Sequence, residues 1–419
     1  MNNVIVIREA YDWLEAGPNS TFTEEDLREL LGYMSQAYPK TEWIELGYNR
    51  IRFINVVGTI RLSRVQIDIV PKLNTDKDEG RASLINMLSV CGHVPYRVGE
   101  SKSLVQAAQM DLLTWLAYTF CSELESQLKR GVPSGYVTIE ENSLNLKGRI
   151  KVPEHLRYNS GDKSLVYCAF DERTTNIPIN MILYKTLFIL WRKVRDGYLV
   201  KKLQQLFAYF EEVEIAGDVK HWLNGVHFDR QNARFEPAFR LAKLILMRMS
   251  LLHGEAKEEC FSFLFEVNTL FESYVGKILL SMQLGEHAVV RLQHEEVKLL
   301  KNDDSGRENI QLIPDIVLGQ RKDDGAAMWT LIMDTKWKMP KYQQDDLYQM
   351  YAYVTGYREA NRVVLLYPRT EGAADIRNWS LAADATKRIH TRTVRIDWWE
   401  HTGQDLRSIL TELHFLGMD

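Results

Sequence analysis

The first hundred residues alternate short apolar runs with polar turns. Three of these runs have the length and spacing of β-strands: residues 51–54, 56–60 and 65–70. A polar segment that opens at Thr23 has the pattern of a capping box and predicts a helix to Met34. We therefore expect residues 1–100 to form a β-rich N-terminal region.

Residues 101–255 mostly show helical periodicity. Apolar residues recur at every third or fourth position in three long stretches: residues 104–128, 180–210 and 237–252. Between the first two stretches, residues 136–140 and 144–152 have the pattern of two hairpin arms joined by a polar turn. We expect a mainly helical middle region that contains one hairpin.

Residues 256–419 alternate strand patterns with helix patterns. An amphipathic segment predicts a helix over residues 261–282, a second helix carries Gln349, and a third begins at Gln404. Strands are predicted at residues 288–292, 313–318, 329–335, 362–367 and 393–398. This alternation indicates a central mixed sheet covered by helices, so the whole chain is expected to be an α+β multidomain protein.

Two of the predicted strands carry charge inside an apolar run. Asp315 follows Pro314 at the start of one strand, while Asp334 and Lys336 lie at the end of the next. Since side chains alternate along a strand, Asp334 and Lys336 point to one face and Thr335 to the other. If the two strands pair as a hairpin, both acids lie at the same end of the sheet. A charge there is costly unless something binds it.

Two carboxylates and a backbone carbonyl form an oxygen-only set of ligands. Such a set suits Mg²⁺, with Mn²⁺ as a substitute, so we predict Asp315, Asp334 and the Thr335 carbonyl as ligands. Lys336 is then placed to offset charge that develops on a phosphate. The alternative is a chance surface aspartate and a chance Asp-Lys pair, and the apolar surroundings favour the site.

These residues resemble the motif of the PD-(D/E)xK nucleases, read here as Pro314-Asp315 and Asp334-Thr335-Lys336. Gln349 and Tyr353 lie four residues apart on one face of the following helix, as a Q-x-x-x-Y companion does in some of these nucleases. The resemblance implies an α/β nuclease domain over residues 256–419. Gln349 would then contact the phosphate or orient Lys336.

Composition limits the other possibilities. A chain of 419 residues suggests two or three domains, and its net charge of −4 confines any DNA contact to a local surface. Four widely spaced cysteines without a C-x-x-C pair fit a reducing compartment and give no zinc site. The sequence shows neither a secretory signal nor a run long enough to span a bilayer, so we expect a cytoplasmic protein without a membrane partner.

The chain also resembles the McrC family, the endonuclease subunits of McrBC-type modification-dependent restriction systems. The resemblance rests on segments spread along the sequence: Val57-Gly58-Thr59-Ile60, Ile67-Asp68-Ile69-Val70-Pro71-Lys72, Arg130-Gly131, Gly135-Tyr136, Leu146-Lys147-Gly148-Arg149-Ile150, Asp171-Glu172, Thr175-Asn176, Asn180 and Asn268-Thr269-Leu270-Phe271-Glu272. A long, insertion-like middle departs from the family pattern.

The McrC resemblance implies a type IV restriction endonuclease subunit that cuts double-stranded DNA. It also implies a partner, a McrB-like AAA+ GTPase hexamer that binds the GTP, into whose pore the N-terminal part docks. The sequence agrees, because it contains no G-x-x-x-x-G-K-[ST] segment. The alternative is a non-catalytic adaptor that regulates an AAA+ ring, although such a protein would be expected to have lost an acid or the lysine.

Several further residues are candidates beside simpler explanations. Glu272 is predicted as a third acid at the metal, whereas Glu266 and His294 are interpreted as surface residues without a role. Three other groups are candidate contacts to DNA or a partner: Lys338 and Lys341 beside the site, the cluster Arg192 to Lys202, and the alternating Lys147, Arg149 and Lys151 of the hairpin. A solvated surface explains each of these three groups equally well.

Overall fold

The computed structural model describes residues 3–72, 77–94, 110–161, 164–215, 217–249, 260–305, 307–322, 325–338, 343–370 and 377–416. The strands within these residues are β1 (Asn3–Arg8), β2 (Leu14–Glu15), β3 (Ile44–Gly47), β4 (Arg50–Phe53), β5 (Val56–Arg61), β6 (Val65–Val70), β7 (Gly135–Ser143), β8 (Arg149–Ile150), β9 (Val166–Thr174), β10 (Phe261–Glu266), β11 (Ala288–Leu292), β12 (Val297–Lys301), β13 (Glu308–Leu312), β14 (Ile316–Arg321), β15 (Ala327–Thr335), β16 (Arg362–Pro368), β17 (Asn378–Ser380) and β18 (Arg388–Val394).

The helices are α1 (Glu24–Ala37), α2 (Lys77–Val90), α3 (Leu112–Leu128), α4 (Val152–Asn159), α5 (Pro178–Lys193), α6 (Gly197–Phe207), α7 (Val219–Gly225), α8 (Glu236–Met249), α9 (Val267–Ser281), α10 (Gln344–Gly356) and α11 (Trp399–Glu412). Two short 3₁₀ turns, Ala208–Phe210 and Ala233–Phe235, complete the regular structure of the described residues. None of the helices in this part of the chain combines the length and apolar character needed to cross a membrane. The α+β class is confirmed.

Contacts divide the chain into two compact units. Unit 1 contains residues 1–112 and 251–419, and unit 2 contains residues 113–250. This grouping differs from the three consecutive regions drawn from the sequence, because β10 pairs antiparallel with β5 and so joins the segments before and after unit 2 in one sheet. Gly58 permits the close approach: its φ is 135°, and a Cβ there would lie 1.9 Å from the Phe263 carbonyl oxygen.

The four-stranded sheet of unit 1 has the order β1-β6-β5-β10. The strands predicted near residues 51–70 are confirmed, and so is the helix at Thr23, whose hydroxyl and Asp26 form the expected capping box. The predicted helix over 261–282 was wrong at its start. Residues 261–266 form a buried strand instead, since the apolar run Phe261–Glu266 satisfies both periodicities and its partner strand decides between them.

The other large sheet of unit 1 is a six-stranded mixed sheet with the order β11-β14-β15-β16-β18-β17. Strands β15, β16 and β18 run parallel, so their carboxyl ends lie at one edge. The predicted last strand and last helix were displaced: β18 and α11 each begin five residues earlier than expected. Buried polar side chains such as His390, Thr391 and Arg392 break the apolar pattern of β18.

Unit 2 combines helices α3 to α8 with a small sheet of order β7-β9-β8. The predicted hairpin was wrong in its pairing. Strand β7 pairs along its whole length with β9, and β8 pairs with the other side of β9, so the two predicted arms do not contact each other as strands. The distant partner strand was not visible from local turn signals. The long helical stretch at 180–210 is also divided, with α5 ending at Lys193 and α6 starting at Gly197.

Candidate functional site

The two predicted acids meet at one end of the β14–β15 hairpin. Strand β14 pairs antiparallel with β15, with Ile316 opposite Met333. Asp315 immediately precedes β14, and Asp334 is the next-to-last residue of β15. The expected hairpin is confirmed.

Asp315 is held against the end of β15. Its Oδ2 accepts hydrogen bonds from the Thr335 backbone N and from Thr335 Oγ1, both at 2.7 Å. These bonds fix one carboxylate oxygen, and Oδ1 lies 3.5 Å from Gln293 Nε2. The carboxylate is therefore oriented by its neighbours.

Asp334 is the most buried charge at this edge. Its residue is 1% exposed, and its Oδ2 forms an ion pair with Lys336 Nζ at 2.5 Å. Burial and, to a smaller extent, the neighbouring Asp315 carboxylate raise the pKa of Asp334 to about 7, although Lys336 opposes both effects. A positive charge added beside this carboxylate would lower its pKa and favour its ionised form.

A short chain of hydrogen bonds positions the lysine. Lys336 Nζ donates to Gln349 Oε1 at 3.0 Å, and Gln349 Nε2 donates to Tyr353 OH at 2.9 Å. Tyr353 OH in turn donates to the Ile313 carbonyl oxygen at 2.9 Å, just ahead of the acid-bearing strand. The structure thus brings Gln349 and Tyr353 to the site and connects them to Lys336.

Glu272 reaches the same edge from α9. Burial raises its pKa, the Asp315 carboxylate raises it again, and a hydrogen bond from Gln293 lowers it. Gln293 Nε2 donates to Glu272 Oε1 and also lies near Asp315, so this amide connects two of the predicted acids.

Gln293 was missed by the sequence reasoning. It follows β11 with a φ of 48°, and its backbone N donates to the Asp315 carbonyl oxygen at 2.8 Å. Its left-handed conformation aims the side chain at the two carboxylates. No local pattern identifies a loop glutamine of this kind.

The region behind the site links it to the N-terminal strands of unit 1. Trp337 Nε1 donates to Glu9 Oε1 at 2.7 Å, and Lys72 Nζ pairs with the same oxygen at 3.2 Å. Trp337 also packs against Phe271, with ring centroids 5.4 Å apart. Because Trp337 follows Lys336 and Phe271 precedes Glu272, these contacts fix the backbone that carries two site residues.

The donor set suits a hard divalent cation in type and in charge. Oxygen atoms from Asp315, Asp334, Glu272 and Thr335 lie at this edge, and burial, followed by the neighbouring Asp315 carboxylate, raises the pKa of Asp334 and of Glu272. Within the described residues, however, no group of three or more acidic, histidine or cysteine side chains is arranged to hold a metal ion. In this arrangement the amide of Gln293 and the ammonium of Lys336 contact the carboxylates.

The remaining candidates have other surroundings. His294 was predicted on a surface strand, which was wrong: it is buried, and its Nδ1 lies 2.8 Å from Tyr357 OH. Lys338 pairs with Asp346 at 2.6 Å, whereas Lys341 lies outside the described residues. Glu266 is exposed and accepts a hydrogen bond from Thr269.

The basic segments of unit 2 are partly neutralised. Lys147 pairs with Glu141 at 3.2 Å, and Lys151 pairs with Glu140 at 2.9 Å. In the helical cluster, Lys202 pairs with Glu125 at 2.9 Å. The basic face predicted for the hairpin therefore carries less net charge than its sequence suggested.

Comparison with solved structures reveals a fold relative. A chain of the tetradecameric assembly of Thermococcus gammatolerans McrB AAA+ hexamers with bound McrC is 19% identical, with a TM-score of 0.73 over 97% of this chain and 100% of that one. A chain of the Thermococcus gammatolerans McrBC complex is 21% identical, with a TM-score of 0.53 over 67% of this chain and 88% of that one. At these identities the likeness shows a shared fold. No curated protein matches the chain.

The family comparison covers most of the sequence. The model for the McrBC 5-methylcytosine restriction system component matches residues 51–368, a range that includes Glu272, Gln293, Asp315, Asp334, Lys336 and Gln349. The match also runs through all of unit 2. The McrC-type resemblance seen in the sequence is confirmed, and the chain belongs to the family of McrBC 5-methylcytosine restriction system components.

Proposed function

We propose that the protein is the Mg²⁺-dependent endodeoxyribonuclease subunit of a McrBC-type, type IV restriction system, with a nuclease domain of the PD-(D/E)xK kind. One observation carries the proposal. Asp334 is buried at the sheet edge, is paired with Lys336 at 2.5 Å and lies next to Asp315. The PD-(D/E)xK motif requires this combination of two acids and a lysine. A fold without chemistry at this edge gains nothing from burying that charge.

The metal would be held by Asp315, Asp334 and the Thr335 carbonyl, with Glu272 as a further acid. Mg²⁺, or Mn²⁺ on the same oxygen donors, supplies Lewis acidity toward a phosphodiester when bound. The acids bring negative charges together that a dication would offset: after burial, the Asp315 carboxylate is the largest cause of the raised pKa values of Asp334 and Glu272. This concentration of negative charge supports the assignment.

The protein side chains divide the remaining work. Lys336 places a positive charge where negative charge develops on the attacked phosphate, and the bond to Gln349 keeps its ammonium in place. Gln293 holds Glu272 beside Asp315. Trp337 fixes the backbone next to Lys336 through its bond to Glu9. All of these groups approach one edge of the sheet.

We also propose that a McrB-like AAA+ GTPase hexamer is the partner and that GTP binds to that partner. Unit 2 supports the proposal because it exposes apolar side chains on and beside its small sheet: Tyr136 and Val137 in β7, Leu144 and Leu146 after it, Ile150 in β8 and Leu156 in α4. Exposed apolar groups of this number are typical of a protein interface. The fold relative comes from an assembly of AAA+ hexamers with bound McrC, which favours the same kind of partner.

The test uses the full chain with its AAA+ partner, GTP and duplex DNA containing 5-methylcytosine. Mg²⁺ and Mn²⁺ should support cleavage and Ca²⁺ should not, and Asp334→Asn should lower the cleavage rate by about 10³-fold or more. Asp345→Asn, which changes an exposed acid at the start of α10, is the matched control and should cut at the parent rate.

Wild-type cleavage by Asp334→Asn would contradict the site assignment. If the parent chain stimulates GTP hydrolysis but cuts DNA with none of the metals, the hypothesis of a non-catalytic adaptor replaces that of a nuclease. The same preparation therefore separates the two hypotheses.

A further inference from the structure

Unit 2 contains a cavity whose lining is dominated by arginine. It measures about 400 Å³ and lies between the loop after α3, the end of β9 and the loop before α8. Asp229 is the only acidic residue of its lining. Four arginines line it: Arg130, Arg173, Arg230 and Arg234. This concentration is unusual in a chain whose overall charge is −4.

Hydrogen bonds to the surrounding loop orient two of the guanidinium groups. Arg234 Nη2 donates to the carbonyl oxygens of Arg130 at 3.2 Å and Gly131 at 2.8 Å. Arg173 Nε donates to Ser134 Oγ at 2.9 Å. These bonds use only part of each fork, since a guanidinium carries five N–H donors. The Nε of Arg234 is buried and has no hydrogen-bond partner among the described residues.

Asp229 offsets only part of the charge of these four arginines. Across the described part of unit 2, none of the four arginines forms a salt bridge. The Asp229 carboxylate is already engaged, because its Oδ1 accepts hydrogen bonds from the backbone N of Gln231 at 2.8 Å and of Asn232 at 3.0 Å. The cavity thus combines preoriented donors with an excess of positive charge over the one carboxylate of its lining.

We propose that this cavity binds phosphate groups of a nucleic-acid backbone. Arginine forks match the non-bridging oxygens of phosphate, and neighbouring phosphates bring one charge each. A single carboxylate of a protein partner accepts one fork and leaves the other arginines without a counter-charge. DNA is named as the source of these phosphates because this inference rests on the proposed function. Binding at the cavity does not require that the DNA is cut.

The test measures binding of the full chain to a labelled DNA duplex by fluorescence anisotropy over a range of salt concentrations. A chelator is present, so the outcome does not depend on nuclease activity. Arg130→Gln with Arg230→Gln removes two charges and leaves Arg173 and Arg234 to hold the loop. The matched control is Arg157→Gln with Arg240→Gln, two exposed arginines elsewhere in unit 2. Melting temperatures establish that both variants fold.

We expect the cavity variant to bind duplex about tenfold more weakly and to lower the slope of log affinity against log salt by about 2. Arg130→Lys with Arg230→Lys should keep the slope, since it keeps the charges. Pyrophosphate added as a competitor distinguishes the source. If it raises the melting temperature of the parent but not of the glutamine variant while duplex binding is unchanged, the phosphate is that of a free polyphosphate.

The proposal would be overturned if the Arg130→Gln, Arg230→Gln variant bound duplex and responded to pyrophosphate as the control variant does. If the same glutamine variant loses only the stimulation of GTP hydrolysis, the cavity binds acidic groups of the protein partner instead. Neither result bears on the Asp334 site, whose test is cleavage.

Discussion

The two units contain sheets with opposite anomalies. The six-stranded sheet of unit 1 buries charge, with Asp334 1% exposed at its edge, whereas the three-stranded sheet of unit 2 exposes apolar groups, with Leu144 72% exposed beside it. Both arrangements cost free energy in the isolated chain. A bound ion or reacting group can offset the cost of the buried charge, and contact with another protein can offset that of the exposed apolar surface.

The difference also indicates where each activity can be altered independently. Changes at the charged edge should act on chemistry and leave partner binding intact, while changes on the apolar surface should do the reverse. Substitutions confined to one unit therefore test that separation.

Lys336 should give the largest effect at the charged edge. Lys336→Ala removes the cation paired with Asp334, and we expect DNA cleavage to fall by about 10³-fold. Lys338→Ala is a close control, since that lysine lies two residues away and pairs with Asp346 instead. Cleavage assays with the AAA+ partner and Mg²⁺ measure both variants. Equal losses in the two variants would mean that general positive charge, rather than the Lys336 position, matters.

The buried Asp334 should make stability depend on pH when no metal is present. Its pKa rises from 3.8 to about 7 on folding, so the folded state holds a proton that the unfolded state releases. The stability that goes with this bound proton is fully present below pH 4 and is lost as the pH rises toward 7. Relative to the parent, Asp334→Asn should therefore gain up to about 4 kcal/mol of unfolding free energy between pH 4 and pH 8.

Denaturant unfolding in a chelator measures this difference, and adding Mg²⁺ at pH 8 should stabilise the parent more than the variant. A difference between the two proteins that is the same at every pH would show that Asp334 is ionised in the folded state throughout.

The apolar surface of unit 2 should matter for the partner and not for the chemistry. Replacing Leu144, Leu146 and Ile150 by serine should reduce stimulation of GTP hydrolysis by about tenfold or more, because exposed apolar groups contribute most when an interface buries them. Leu46→Ser with Tyr48→Ser, at exposed apolar positions in unit 1, is the control. Both variants are made in the full chain, because a fragment ending near residue 255 would separate β5 from β10.

The sequence predicted those features in which local pattern and tertiary structure agree. Asp315, Asp334 and Lys336 stand out because charges interrupt apolar strand patterns, and the β14–β15 pairing followed from their spacing. Gln293 could not be found this way, since a loop places its amide between two carboxylates.

Strand pairing over long distances was the other limit. The run Phe261–Glu266 fits helix and strand alike, and only β5 makes it a strand. Likewise, β7 pairs with β9 although a polar turn follows it directly and suggests a local hairpin. In both cases the deciding partner lies far along the chain, where periodicity carries no information.

The basic residues beside the apolar surface should give the smallest effect. Lys151 pairs with Glu140 at 2.9 Å and lies 3.7 Å from Glu154, and these neighbours raise its pKa. Exposed pairs of this kind contribute little, so Arg149→Glu with Lys151→Glu should weaken GTPase stimulation by no more than about fivefold. The effect should shrink as salt is raised, while that of the serine variant should not.

The control for the charge reversal is Lys129→Glu with Arg240→Glu, which reverses two exposed cations elsewhere in unit 2. Phosphate release from GTP, followed at low and at physiological salt, measures all of these proteins. If the reversal abolishes stimulation and the serine variant retains it, the surface acts through charge. The contrast between a charged edge in unit 1 and an apolar interface in unit 2 then fails, because unit 2 would present charge to its partner as well.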